Sequence, residues 1–412
     1  MTKAFFVAFI LCNFLVGCAT YQDHVSLARQ SLISVNLDLA LKDLQVKANA
    51  KSDDQLVYVL DYATALQFAE KFEESNQYFL KASKLSEEKD FHSISRVAGS
   101  LLFNEEVVQY KGDSFEKAFI HVFLALNFLH MRNFDSAMVE VRKMNEKYNQ
   151  ARLAEKQGFE INPFSRYLAA LVYEASGQWD DAFIAYKDTQ KLDPNWPKIE
   201  LDILRSAHLS NRSDDFIFWQ KKYPDSKINV DRKLTKTHGY LKVIYLQGWG
   251  PRKVPDPFEP LVPTLNPVKS MTTQAGVIID GIERAKTELM YDTAQAAIAT
   301  LRDDRPALIA RRVAARVARE AVARELGKKD DTAVAGLVSF IAMQASERAD
   351  LRQWSFLPNT IQVSEVQLPK GYYEVQLQGQ DDFGGNTSEV SNIKKINIRP
   401  GQTEFFIWRS VK

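Results

Sequence analysis

The chain has 412 residues, 45% hydrophobic and 25% charged, with 53 Lys and Arg against 52 Asp and Glu. That is too apolar for a disordered chain, too poor in Gly and Pro for a fibre, and long enough for two or three cores. A net charge of +1 lacks the basic footprint of a protein that tracks nucleic acid, and two cysteines supply neither a disulfide framework nor a Cys-rich zinc site.

Both cysteines, Cys12 and Cys18, lie at the N-terminus beside Lys3 and the apolar run Ala4 to Leu11. A positive residue followed by a short apolar run reads as a secretory signal, too short for the ~20 apolar residues of a membrane-spanning helix. Leu15-Val16-Gly17 followed by Cys18 resembles the lipobox of bacterial lipoproteins. That resemblance implies cleavage after residue 17 and lipidation of Cys18 by a diacylglycerol and a further acyl chain, palmitate being the usual kind. Several buried acyl chains, at ~0.8 kcal/mol per CH₂, anchor such a protein stably. Ala19 stands where enterobacterial lipoproteins kept at the inner membrane carry Asp, so the resemblance implies the outer membrane, facing the periplasm. Cys12 and Lys3 leave with residues 1–17, and the mature chain then has 52 basic against 52 acidic residues.

Residues 18–247 are expected to form a helical domain, since from Tyr21 to about Pro224 Gly and Pro are scarce and apolar residues recur at helical spacing. Ala170, Tyr173, Gly177, Ala182, Tyr186 and Pro194 fall at the positions of the tetratricopeptide (TPR) repeat, which the segment from Phe164 to Asn195 resembles. Small Ala170 and Ala182 let two antiparallel helices approach, the tyrosines fill the seam, Gly177 turns the chain and Pro194 stops the second helix. Weaker units run through Ala125, Phe128, Ala137 and Val141, and through Ala63, Leu66, Ser75, Phe79 and Ala82, with a fragment at Ala40 and Leu44. The small residues Ala40, Ser75, Ala137 and Ala182 stand 35, 62 and 45 apart, so the resemblance implies an irregular α-solenoid rather than a regular 34-residue array. Its first helices would line a groove with Leu60, Phe68, Phe119, Val122, Leu126, Leu129, Phe164, Tyr167 and Leu171. A stripe this apolar needs a cover, from a partner's peptide or helix or from the chain's own downstream residues, and self-coverage is favoured.

Residues 248–270 hold six of the Pro together with Trp249, Phe258, Leu261 and Leu265. This predicts an extended strap packed on the helical surface, and the best internal occupant of the groove. Residues 271–354 are expected to be mainly helical, with a short strand or turn near Gln274 to Arg284 and Pro306 in the first turn of an Ala- and Arg-rich helix ending near Gly327. Between Leu301 and Lys329 nine basic residues face four acidic ones. Arg312, Arg316 and Arg319 form a basic patch suited to anionic lipid or envelope polymer, or a solvated face paired with acidic neighbours. A further apolar helix is expected over Thr332 to Ala345. The charged and aromatic run from Arg348 to Trp354 is read as a junction where Arg–carboxylate pairs pin Trp354, with a glycan or cell-wall site as the alternative.

Residues 355–412 are expected to form a small antiparallel β-domain, with strands at Ile361 to Val363, Tyr373 to Leu377, Ile396 to Ile398 and Phe405 to Ile407. The run from Leu368 to Tyr373 and that from Arg399 to Gln402 resemble the β-sandwich-like modules of bacterial envelope proteins.

No nucleophile elbow, zincin, phosphate-loop or dinucleotide motif occurs, and the six His are scattered. Acidic pairs such as Asp180-Asp181 fall at helix starts, where capping accounts for them. The reading is a fold that is mainly α, with no catalytic residues, metal or cofactor. Together the features resemble a proteobacterial TPR-like envelope lipoprotein. This implies a membrane-anchored scaffold that binds envelope proteins in assembly, secretion or peptidoglycan synthesis.

Overall fold

The computed structural model describes residues 21–34, 36–93, 110–153, 162–196, 199–224, 236–327 and 348–412. Cys18, the leader and the helix expected over Thr332 to Ala345 lie outside them. Among the described residues ten helices come first: α1 Tyr21–Ile33, α2 Leu37–Asn49, α3 Gln55–Phe68, α4 Phe72–Ser93, α5 Ser114–His130, α6 Phe134–Leu153, α7 Pro163–Ala175, α8 Trp179–Leu192, α9 Ile199–Leu209 and α10 Ser213–Lys222. They pack as consecutive antiparallel pairs in a TPR-like arrangement.

Four of the pairs close with the same Schellman turn, in which an N–H just past the helix returns to a carbonyl five residues earlier. Lys71 donates to Leu66, Asn133 to Phe128, Gln178 to Tyr173 and Arg212 to Ala207. The residue before each donor has positive φ: Glu70 58°, Arg132 58°, Gly177 72° and Asn211 59°. These turns stand 62, 45 and 34 residues apart. The pair α9/α10, absent from the sequence reading, is thus the one that follows its predecessor at the TPR period. Close approach within pairs rests on small residues. Ala170 and Ala182 are fully buried, and Ser75 sits against α3 with its hydroxyl donating to the Ala63 carbonyl at 2.8 Å.

The strands do not keep to the tail. β1 (His238–Gln247) falls in the stretch expected to be helical, β2 (Arg252–Pro255) and β3 (Pro263–Asn266) make a hairpin of the strap, and β4 (Gln274–Ile279), β5 (Ile282–Lys286) and β6 (Glu288–Asp292) precede the long helix α11 (Thr293–Gly327). β7 (Thr360–Pro369), β8 (Gly371–Gln380), β9 (Asn386–Val390), β10 (Lys394–Ile398) and β11 (Thr403–Arg409) complete the chain. One sheet has the order β11-β1-β7-β6, and the second β10-β8-β4-β5 with β9 also on β8. β1 runs parallel to β11 and antiparallel to β7, so the expected purely antiparallel domain is corrected to a mixed one.

The two sheets stack over Leu241, Val243, Tyr245, Val277, Ile279, Val375, Leu377, Ile398 and Phe406. Lys242, Ile244 and Leu246 point the other way, toward the helices. Because β1 is covered on both faces it lacks the polar alternation of a half-exposed strand, and its apolar run imitates a buried helix. Ile244, Leu246, Trp249, Tyr291, Trp354, Phe356 and Ile361 belong to the same core as the first helices of the pairs.

Pro306 is also corrected: it lies inside α11, not in its first turn. The helix begins at Thr293, where Asp292 Oδ1 accepts the Gln295 N–H at 2.8 Å. Pro306 is exposed, so water meets the carbonyl one turn back that its missing N–H leaves free.

Candidate functional site: the occupied groove

The first helices α3, α5 and α7 line the groove, and its expected apolar residues are covered. Leu60, Phe119, Val122, Leu126, Leu129, Phe164, Tyr167 and Leu171 are all buried, and Phe68 is partly so. The cover is the chain's own downstream half, though not chiefly the Pro-rich strap. Residues 349–357, without regular secondary structure, thread along α3 and α5. Trp354 is the wedge. Its ring centroid lies 5.1 Å from that of Phe123 and 5.7 Å from that of Phe79, and its Nε1–H donates to Thr64 Oγ1 at 2.8 Å.

An irregular segment in an interior must have its backbone groups satisfied by side chains. Two buried carboxyl groups do this. Glu116 Oε1 accepts the Trp354 N–H at 2.6 Å, and Asp61 Oδ1 accepts the Phe356 N–H at 3.1 Å. The Tyr21 hydroxyl joins Asp61 Oδ2 at 2.5 Å and the Gln353 carbonyl at 2.5 Å. Burial pushes the Asp61 carboxyl up to about 8, against smaller opposing contributions from Tyr21 and Arg29, and burial raises Glu116 too. Arg352, 5% exposed, pairs with Asp350 and Asp54, each at 2.8 Å.

The strap backs this segment instead of filling the groove. Gln353 Nε2 donates to the Pro251 carbonyl at 2.7 Å, Gln353 Oε1 accepts the Lys253 N–H at 2.5 Å, and Trp249 packs on Phe356. Phe258, at the tip of the hairpin, is 93% exposed.

Further along, the sheet closes the groove through a buried ionic seam. Lys242, 1% exposed, places Nζ 2.8 Å from Asp202 and 2.5 Å from Glu365, and donates to the Tyr167 hydroxyl at 2.9 Å. Arg205 reaches Asp202 at 2.6 Å, Glu174 at 3.0 Å and Glu365 at 3.0 Å. Glu174 also accepts from the hydroxyls of Tyr186 at 2.6 Å and Thr403 at 2.5 Å. Burial would raise the Glu365 carboxyl, but Arg205 and Lys242 outweigh it and hold it at about 2. Charge desolvated to this degree is retained only where it is paired, so the cluster fixes how the sheet sits on α7 and α9. In the sequence, Lys242 was an isolated cation within an apolar run, and that was the available signal for a buried pair.

The three arginines of the expected basic patch all stand on α11. Arg312 is half-buried and donates to the Arg348 carbonyl at 3.3 Å, Arg316 is exposed, and the side chain of Arg319 lies outside the described residues. Arg305 ties α11 to the strap through Asp256 at 2.7 Å and Glu259 at 3.0 Å. The alternative site at Arg348 to Trp354 has no open aromatic face for a sugar, because Trp354 is 2% exposed. The cavity beside it, about 30 Å³ lined by Glu116, Lys253 and Trp354, has room for about two waters. Among the described residues no three His, Cys, Asp or Glu gather as a metal site, and no helix is long and apolar enough to cross a membrane.

No family model matches the chain, and no curated protein does. Solved structures of MamA are similar in trace. MamA of Desulfovibrio magneticus RS-1 is 14% identical with a TM-score of 0.34, over 50% of this chain and 94% of that one. MamA of AMB-1 is 14% identical with a TM-score of 0.32, over 51% and 93% respectively.

Proposed function

We propose that this chain is a lipid-tethered, non-catalytic scaffold of the bacterial envelope: an α-solenoid locked by its own C-terminal half, which meets protein partners on its outer surface. The observation that carries the reading is the occupied groove. The positions a TPR-like domain would use for a peptide hold Trp354 and the Lys242 seam, and displacing them would bare buried carboxylates. The outer face keeps apolar side chains exposed, among them Ile217 and Phe218 on α10 at 51% and 61%, and Val313 and Val317 on α11 at 58% and 61%. The lipobox-like Leu15-Val16-Gly17-Cys18 supports a lipid anchor at Cys18 and the periplasmic face of the outer membrane. Envelope proteins are the partners in this reading. Anionic lipid or polymer on the arginines of α11 is a secondary contact.

The test is in-cell photocrosslinking of the lipidated protein from Phe218 and Val317, compared with Leu126 in the groove and with Cys18→Ala. Envelope partners should be captured from the outer positions, and Cys18→Ala should leave the membrane fraction. Capture from Leu126 alone would overturn the closed-groove scaffold. Membrane retention of Cys18→Ala would overturn the anchor.

A further inference from the structure

The hairpin of the strap holds a bare aromatic ring out into solvent on a stiff turn. Phe258 is 93% exposed and Leu261 38%, and Pro257 and Pro260 are exposed beside them. Asp256 Oδ1 accepts the N–H groups of Phe258 at 2.9 Å and Glu259 at 3.1 Å. The Asp256 N–H donates to the Val262 carbonyl at 2.9 Å, and the Val262 N–H to the Glu259 carbonyl at 2.8 Å. Arg305 of α11 clamps the Asp256 and Glu259 carboxylates from outside. The two prolines fix their own φ, so Phe258 loses little conformational entropy when it meets a partner.

The neighbours of the tip indicate what that partner is. Gln22, in the first turn of α1, donates to the Leu351 carbonyl at 2.6 Å and accepts from Arg252 Nε at 3.3 Å, at the foot of β2. Arg252 is six residues from Phe258, no more than about 20 Å along an extended strand. A second route joins the same places. Arg305 meets the tip, and Arg312, seven residues further along α11, donates to the carbonyl of Arg348, three residues before Leu351. The start of α1 and the tip of the strap thus flank one short stretch of α11. Cys18 stands three residues before Tyr21, a reach of at most about 11 Å. Acyl chains on Cys18 would hold this end of the molecule at the bilayer surface. Residues 252–266 carry Arg252 and Lys253 against Asp256 and Glu259, a net charge of zero, so headgroup phosphates neither attract nor repel the hairpin. Its apolar side chains match the boundary between headgroups and acyl chains.

We propose that the strap tip is a second membrane contact: Phe258 and Leu261 enter the headgroup–acyl boundary of the leaflet that holds Cys18, and so fix how the scaffold stands on the membrane. The proposal rests on the lipid-anchor reading. The contact is apolar and does not require anionic lipid.

Once Cys18 is acylated, a newly introduced cysteine is the only reactive thiol of the mature chain. The acylated full mature chain, carrying a nitroxide on Phe258→Cys, Leu261→Cys or Phe218→Cys, is placed in vesicles of phosphatidylcholine, alone or with phosphatidylglycerol. Spin relaxation then compares collisions with lipid-soluble oxygen and with a water-soluble nickel chelate. The oxygen-to-nickel ratio should be at least about threefold higher at 258 and 261 than at 218, on the last helix pair, in both kinds of vesicle. With the label at 261, Phe258→Ser should lower that ratio at least about twofold. Equal ratios at all three positions, shielding only where phosphatidylglycerol is present, or an unchanged ratio at 261 in Phe258→Ser overturns the proposal. So does a tip that stays open on vesicles and photocrosslinks to an envelope protein in cells, which assigns Phe258 to a protein partner. The mass of the N-terminal peptide reports the anchor separately: an unacylated Cys18 overturns the anchor and this proposal together, whereas an acylated chain with an open tip overturns this proposal alone.

Discussion

Replacing Lys242 by Met removes one charge from the seam and leaves its volume nearly filled. Three contacts vanish, to Asp202 at 2.8 Å, Glu365 at 2.5 Å and the Tyr167 hydroxyl at 2.9 Å. Asp202, Glu365 and Glu174 then share Arg205 alone. Breaking a buried pair by removing one partner costs about 3–5 kcal/mol, most of it the desolvated charge left behind. The variant should therefore lose about that much in urea unfolding, a large share of the 5–15 kcal/mol typical of a folded domain. The sign of its pH dependence is also fixed. Without Lys242 the stranded carboxylates take up protons in the folded state more readily than in the unfolded one, so the folded state holds more protons. Stability must then fall as pH rises from about 5 to 8, more steeply than in the parent. Adding Glu365→Gln should restore part of the loss, with a coupling of about 1–3 kcal/mol in the double-mutant cycle. A loss under about 1 kcal/mol with no added pH dependence would refute the inference that this seam fixes the sheet on the helices.

Other consequences are simpler to measure. Trp354→Ala should cost about 3–5 kcal/mol by denaturant unfolding, since it empties a site enclosed by Phe79 and Phe123; a near-neutral effect would mean the wedge is not buried. Asp61, raised to about 8, holds its proton in the folded state over a range where the unfolded chain has released it. Its contribution thus falls with rising pH between about 4 and 8, and Asp61→Asn should flatten that part of the stability profile and leave the protein more stable at pH 8. An unchanged slope would remove Asp61 as its source. Gly177→Ala should cost about 1–2 kcal/mol, because Ala resists the left-handed turn although no atom lies within 4 Å of the added carbon. At the equivalent turn Glu70→Gly should gain up to about 1 kcal/mol, and a loss there would contradict the shared turn geometry.

The fold was legible in the sequence where local chemistry decides structure. Ala170, Gly177 and Ala182 mark a helix pair because close approach and a left-handed turn demand small residues, and both requirements are met. Pro369 to Gly371 and Pro400-Gly401 mark real strand ends. Legibility failed where tertiary burial overrides the local pattern. In α9/α10 the turn is carried by Asn211 rather than Gly, and small residues do not fall at the usual places, so the pair left no repeat signal. β1 is apolar on both faces, and periodicity cannot separate such a strand from a buried helix. The groove residues were legible as an apolar stripe, and coverage by the chain itself was the favoured expectation. The identity of the cover was not legible, because the pairing of Trp354 with Thr64 joins residues 290 apart in sequence.

Backbone hydrogen exchange at Trp354 and Phe356 tests the closed groove most directly. Both residues lie outside helices and strands, and their N–H groups donate to the buried carboxyl groups of Glu116 and Asp61. If the segment fills the groove as described, these two amides exchange only with large-scale unfolding, as slowly as the amides of α3 and α5. Exchange within seconds, at the rate of an exposed loop, would contradict it.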